Sequence, residues 1–151
     1  MSAAGPILVD TSVWIDFLSL RPGPAGRELR RMIESTEPVV LAGIIVTEIL
    51  QGLVRDAATI EKFLAQWDLI EPAAFQTYVR AADLYRETWV HGLTLTTVDA
   101  LIATLTIENR VRLFTLDKDF GRLARWAPWN STRWSSPQSC VDLKRSAPST
   151  G

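Results

Sequence analysis

Five acids stand at places in this sequence where carboxylates can do chemistry. They are Asp10 in "ILVDTSVW", Glu48 in "VTEILQGL", Asp99 in "LTTVDALIA", and Asp117 and Asp119 in "FTLDKDF". Each alone has a plain reading. Asp10 suits the N-cap of a following helix. Glu48 suits a solvated helix face. Asp99 follows Thr96 by three residues, a capping-box spacing, and an acid in a first helical turn suits the dipole. Asp117 and Asp119 suit a polar turn, or a cap for a helix starting at Phe120. Taken together they suggest more. Asp10 ends one apolar run and Asp117 and Asp119 follow another, while Glu48 and Asp99 fall on helical segments expected to pack by the same sheet edge. Two unit charges ~4 Å apart cost about 4 kcal/mol at an effective dielectric near 20. A chain keeps such a cluster when a hard cation neutralises it, and all-oxygen ligands point to Mg²⁺ or Mn²⁺. His91 and Cys140 are the single His and Cys. They argue against a zinc site, a His-based acid–base pair or a thiol triad.

The elements that must position these acids follow from periodicity. Ile7 to Asp10, Val39 to Ala42 and Arg112 to Leu116 read as buried strands, with Leu69 and Ile70 as a shorter one. Helices are expected over Thr11 to Leu20, Arg27 to Ser35, Ile45 to Arg55, Ala57 to Trp67, Ala73 to His91 and Thr97 to Asn109. "RPGPAG" (21 to 26) reads as a loop and Gly92 as a helix stop. Thr11 and Ser12 are placed to cap the first helix while hydrogen-bonding the acids behind it. Strands without polar alternation, alternating with helices, predict an α/β sandwich with a parallel sheet covered on both faces. In open sheets of this kind ligands bind beyond the carboxyl ends of the strands, where Asp10, Asp117 and Asp119 stand.

The chain has 151 residues, 47% of them hydrophobic and 22% charged, which suits a single α/β domain over 1–151 with a real core. Its longest apolar run, broken at Gly43, is far short of the ~20 residues of a membrane span. No secretory signal is expected at the N-terminus, and a lone Cys agrees with a reducing cytoplasm. The net charge of −1 lacks the basic excess usual for a nucleic-acid-binding surface. Any RNA contact must then be local, or rest on a metal or a second subunit.

"ILVDTSVWIDFL", "VTEILQGL", "TTVDALIATL" and "LFTLDKDF", in that order and spacing, resemble the PIN domain over about residues 7–130. The nearest branch is the VapC ribonucleases of bacterial type II toxin–antitoxin systems. The resemblance implies a PIN-like α/β/α sandwich with a central, mostly parallel sheet. It implies an Mg²⁺- or Mn²⁺-dependent endoribonuclease that uses water to cut tRNA or rRNA, a VapB-type antitoxin, a homodimer and a toxin–antitoxin hetero-oligomer. Asp10, Glu48, Asp99 and Asp117 match the family's acidic quartet and Asp119 a further acid. Thr11, Ser12 and Thr115 match hydroxyl positions that support them. Asp10 and Asp99 are expected as direct metal ligands, with Glu48 and Asp117 holding metal-bound waters or a second ion. The Trp-rich segment after Trp126, and the polar tail over 131–151, match no family motif.

Lys118, Arg122 and Arg125 lie beside the acids and are candidates for phosphate contact. Arg21, Arg27, Arg30 and Arg31 either grip phosphates or form a solvated helix face. Trp126, Trp129 and Trp134 either stack bases or pack on the core. Trp14 is expected in the core. Leu50, Leu53 and Phe63 are candidates for an apolar antitoxin groove. Two competing functions stand beside the ribonuclease. One is a non-catalytic PIN-like module that binds RNA or a partner. The other is a phosphatase with Asp10 as nucleophile, although Ser12 stands where such enzymes carry a second acid.

Overall fold

The computed structural model describes residues 5–126, 129–130, 140–142 and 144–145, with side chains up to residue 124. Its strands are β1 (Ile7–Val9), β2 (Val39–Ala42), β3 (Leu69–Ile70), β4 (Arg112–Phe114), β5 (Trp129–Asn130), β6 (Cys140–Asp142) and β7 (Lys144–Arg145). Its helices are α1 (Thr11–Leu18), α2 (Pro24–Glu34), α3 (Gly43–Gln51), α4 (Ala57–Leu64), α5 (Phe75–Val90), α6 (Thr97–Glu108) and α7 (Lys118–Trp126). The main sheet has the order β3-β2-β1-β4-β6. Its first four strands are parallel, and β6 pairs antiparallel with β4. Flanking helices cover this four-strand parallel core, as the unbroken apolar runs predict.

β1 is the pivot. All three of its residues are fully buried. It pairs with β2 through Ile7↔Val39 and with β4 through Val9↔Phe114. The chain therefore moves outward from β1 to β2 and β3, then returns to the other side of β1 as β4. That reversal makes the carboxyl ends of β1 and β4 a topological switch point, where a crevice forms.

The helices pack through apolar stripes. Trp14 is fully buried, with Phe17, Phe63 and Trp67 ring-to-ring around it at 5.2–6.3 Å. Such pairs contribute about 0.5–1.5 kcal/mol each beyond their burial, and here they fasten α1 to α4. Trp14 is thus a core residue, as expected. Phe63 stacks on Phe17 at 5.9 Å, and both rings stay half-buried at the rim of this cluster. Gly92 stops α5 as expected: its φ is +73°, Gly92 N–H donates to Trp89 O, and Leu93 N–H donates to Thr88 O. This is the Schellman closure that a left-handed glycine permits.

Two parts of the chain depart from the expected elements. The "RPGPAG" loop is shorter than its composition suggests, because α2 already begins at Pro24. A proline at the first helical position loses no hydrogen bond and arrives with its φ preset. The carboxylate of Asp16, on α1, substitutes for a local cap. Its two oxygens accept from Gly23 N–H (2.9 Å) and Gly26 N–H (2.7 Å). The second departure is α7, which the sequence showed only as a possible helix from Phe120. Its core-facing residues Phe120, Leu123 and Ala124 recur at i, i+3, i+4 and are all buried.

Gly26 is where α2 comes closest to α1. A Cβ there would meet Phe17 N at 2.8 Å and Asp16 C at 2.9 Å, both backbone atoms. Gly26→Ala should therefore force the helices apart and cost about 1–3 kcal/mol, the usual scale of overpacking. Urea unfolding would read this as a lower midpoint. An unchanged midpoint would mean that α1 and α2 have room to separate.

Candidate active site

The crevice at the ends of β1 and β4 is built on Asp10. Asp10 N–H donates to Phe114 O at 2.9 Å, so the β1–β4 pairing runs on into the acid itself. Asp10 sits at the N-cap position of α1 with an extended backbone, yet its side chain caps nothing. Its Oδ2 instead accepts two hydroxyls at 2.8 Å, Ser12 Oγ from the first turn of α1 and Thr115 Oγ1 from just past β4. Those hydroxyls are held in turn. Ser12 Oγ accepts from Leu116 N–H (3.1 Å), and Thr115 Oγ1 accepts from Asp117 N–H (3.0 Å). Thr11 and Ser12 therefore do not cap the helix as expected. Their hydroxyls serve the carboxylates, because α1 starts directly at the sheet edge.

The other acids reach this edge from separate elements. Glu48, on α3, accepts from Thr11 Oγ1 at 2.5 Å, which links α3 to α1. Asp99, in the first turn of α6, forms the capping box that its spacing suggested. Its Oδ2 accepts from Thr96 N–H (3.0 Å) and Thr96 Oγ1 (2.7 Å), while its own N–H donates to Thr96 Oγ1 (3.1 Å). Asp117 Oδ1 accepts from Asp119 N–H at 2.9 Å, which orders the start of α7. Asp119 pairs with Arg122 at 3.2 Å across one turn of that helix.

Electrostatics tie these acids into one field. Burial pushes the Asp117 carboxyl above the usual carboxylate range, against one stabilising hydrogen bond from Asp119 N–H. The charges of Asp119, Asp99 and Asp10 push it the same way. Burial and excess negative charge at this edge thus both disfavour its ionised form. The salt bridges found among the described residues take Glu28, Glu37, Glu108, Asp83 and Asp119, and none takes Asp10, Glu48, Asp99 or Asp117.

Among the described residues no three acidic, imidazole or thiol groups form a ready-made metal cage. The hydroxyl bonds explain the spread, since each acid is drawn toward its own Ser, Thr or backbone donor. The donor set still fits a hard divalent cation. It is all oxygen, it carries surplus negative charge, and Mg²⁺ commonly binds through only one or two carboxylates and keeps several waters.

The remaining site residues divide. Lys118 is exposed at the start of α7, beside Asp117. Arg122 is exposed and paired with Asp119. The side chains of Arg125, Trp126 and Trp129, and all of Trp134, lie outside the described residues. In the arginine group, Arg31 binds Glu28 and Glu37, Arg27 donates to Pro22 O, and Arg30 lies over the Phe17 ring. These contacts favour the solvated-face reading. Asp16 is a structural acid that the sequence motifs do not single out. Its signal is an acid just ahead of the Pro-Gly-Pro-Ala-Gly loop (22–26), whose glycine N–H groups need an acceptor.

The PIN domain model matches residues 7–125. The chain belongs to the PIN domain family, in its VapC ribonuclease branch. VapC ribonuclease Mb1587 of Mycobacterium bovis is 30% identical over 123 residues, covering 79% of this chain and 92% of that protein. Two solved structures share the fold. One is VapBC2 from Rickettsia felis bound to a promoter DNA fragment, with TM-score 0.63, 17% identity and 78% and 92% of the two chains covered. The other is a toxin–antitoxin complex from Klebsiella pneumoniae, with TM-score 0.62, 22% identity and 80% and 92% covered. The PIN match encloses all five acids, from Asp10 to Asp119.

A raised Asp117 pKa in the fold has a sign that can be checked. Stability from the protonated group is fully present below its unfolded value of about 3.9 and is lost as pH rises through the higher folded value. At pH 7 in EDTA, Asp117→Asn should therefore raise Tm. The gain should shrink as pH falls below about 4, where both forms are neutral. A lower Tm at pH 7 would show that the ionised carboxylate stabilises this edge.

Proposed function

We propose that this chain is a divalent-metal-dependent endoribonuclease, the toxin of a toxin–antitoxin pair, acting on tRNA or rRNA. The observation that carries this reading is the juncture of two acids at the sheet's switch point: Asp10 accepts from Thr115 Oγ1, which in turn accepts from Asp117 N–H, and the charges of Asp119 and Asp99 bear on the same edge. Membership in the VapC branch supports it.

In this reading Asp10 and Asp99 would hold the cation. Both have Oδ2 fixed by hydroxyls, which orients the carboxylates. Glu48, steadied by Thr11, and Asp117, steadied through Thr115, would hold water near it. Asp119 sets the start of α7 and tunes the field on Asp117. A bound Mg²⁺ or Mn²⁺ supplies a water of lowered pKa and stabilises charge growing on the phosphoryl oxygens. Lys118 is placed to meet an RNA phosphate. Arg122 can exchange its exposed bond to Asp119 for one, because exposed pairs of this kind contribute little, about 0–1 kcal/mol. Arg125 is a third candidate for phosphate contact. An antitoxin resembling those in the neighbouring complexes would silence the crevice, and the working assembly would be a homodimer in the cytoplasm. No described helix is long and apolar enough to cross a membrane.

Purified protein should cleave RNA with Mg²⁺ or Mn²⁺ and stop in EDTA. Asp10→Asn and Asp99→Asn should each lower cleavage by ~100-fold or more while leaving Tm within a few degrees, since Asn still accepts from Ser12, Thr115 or Thr96. Full activity in both variants would remove the mechanism. Metal-independent RNA binding without cleavage of any substrate would favour the non-catalytic module instead.

A further inference from the structure

Two large apolar side chains stand exposed at the lip of the acid crevice, among acids and hydroxyls. Ile15 on α1 is 57% exposed, and Leu116, on the link between β4 and α7, is 46% exposed. The hydroxyls that hold the acids also fix where these two residues stand. On α1, Thr11 reaches Glu48, while Ser12 reaches Asp10 and the Leu116 backbone. The arc of α1 between Thr11 and Ser12 therefore faces the crevice. At ~100° per residue Ile15 falls inside that arc, about 40° from Thr11 and about 60° from Ser12. It lies one turn further along the helix, and a helical side chain leans back toward the N-terminus, here toward the crevice.

Leu116 comes to the same place from β4. Its N–H donates to Ser12 Oγ at 3.1 Å. The residues on either side are held as well, Thr115 through Oγ1 to Asp10 and Asp117 through N–H to Thr115 Oγ1. The link is thus bonded at each of these residues while the Leu116 side chain stays open to solvent. Ser12 lies between Ile15 and Leu116, so two apolar groups flank a hydroxyl that holds Asp10. Lys118, two residues beyond Leu116, is exposed beside them.

A nucleotide has chemistry for both parts of this edge. Its phosphate needs cations, which Lys118 and a metal ion in the crevice supply. Its base is a neutral ring with an apolar face, and carboxylates offer that face nothing. Ile15 and Leu116 do. Neither carries a hydrogen-bonding side-chain atom, so the pair responds to the face of a base and not to its edges. Such contacts are tolerant of sequence. A base can present its face only when it has left the stack, as in single-stranded loops and ends.

We propose that Ile15 and Leu116 form a seat for the base of one unpaired nucleotide next to the scissile phosphate, and that this seat selects single-stranded RNA. The inference rests on the ribonuclease reading and adds to it the residues that choose the form of the substrate.

The full chain is tested by fluorescence anisotropy in Ca²⁺, apart from a cleavage assay in Mn²⁺. Three labelled probes are compared: a short oligoadenylate RNA, an abasic ribose-phosphate strand of the same length, and the oligoadenylate annealed to its complement. The native protein should bind the single strand more tightly than either of the others. Leu116→Ala and Ile15→Ala should each weaken single-strand binding about 5-fold, the scale of a methylene or two of lost contact. Binding to the abasic strand and to the duplex should stay unchanged in both. Leu116→Met keeps the apolar bulk and should bind like the native protein. Lys118→Ala should weaken all three probes alike, because it acts on phosphate. Circular dichroism checks that each variant is folded. A native protein that binds none of the probes, or binds all three equally, would overturn the seat. A loss in Leu116→Ala that is equal on the three probes would do the same. Native single-strand affinity in both alanine variants would also overturn it and give the lip to a protein partner. Discrimination without cleavage in Mn²⁺ would keep the seat and remove the ribonuclease reading, whereas cleavage without discrimination would do the reverse.

Discussion

The Asp10 carboxylate, held by one hydroxyl from each side of the β1–β4 pair, is the contact on which the rest of the site depends. Ser12 reaches it from α1 and Thr115 from the end of β4. Each hydroxyl is held by a backbone N–H, so the two loops leaving the sheet are tied to one carboxylate. A buried acid without such donors would be costly, and hydroxyls supply hydrogen bonds without supplying a neutralising charge. A lysine or arginine in the same place would also satisfy Asp10, but it would cancel the field that a cation needs. The choice of Ser and Thr therefore keeps the crevice both ordered and negative.

The same device recurs around the edge. Thr11 donates to Glu48 and Thr96 donates to Asp99, so each acid has a hydroxyl neighbour one to three residues from another acid or from a helix start. The cost is visible at Asp117, where burial and three nearby acids disfavour ionisation. The fold thus gathers negative charge at the place where the proposed chemistry occurs. Function and stability pull in opposite directions at that residue, a common arrangement at active sites.

Opposite demands also shape the helices. α1 is committed to the core through Trp14 and Phe17, and it is pinned to α2 by the Asp16 carboxylate and the close approach at Gly26. α5 is committed on one side only. Its Thr77 and the neighbouring Arg80 share Glu108 of α6, which fixes how α5 sits on α6 and so where its outer aromatic stripe faces.

Much of the architecture was legible in the sequence. The unbroken apolar strands predicted a covered parallel sheet, and β2 and β3 fell on their expected residues. The four acid motifs in order carried the family resemblance, because their chemistry is local to each motif. The Thr96–Asp99 box could also be read directly, since it spans one helical turn. Contacts between distant residues could not. Thr115 and Asp10 are 105 positions apart, and only the β1–β4 pairing brings them together. The antiparallel β6, and α7 as a full helix, were missed because short segments draw their stability from the sheet edge they cover and not from their own pattern. The sequence alone determined which residues have the right chemistry, since residue type and local spacing set that. Tertiary structure decided which hydroxyl holds which acid, and which side of α5 is buried and which is exposed. Both depend on the direction in which packed elements face, and periodicity alone does not determine that direction.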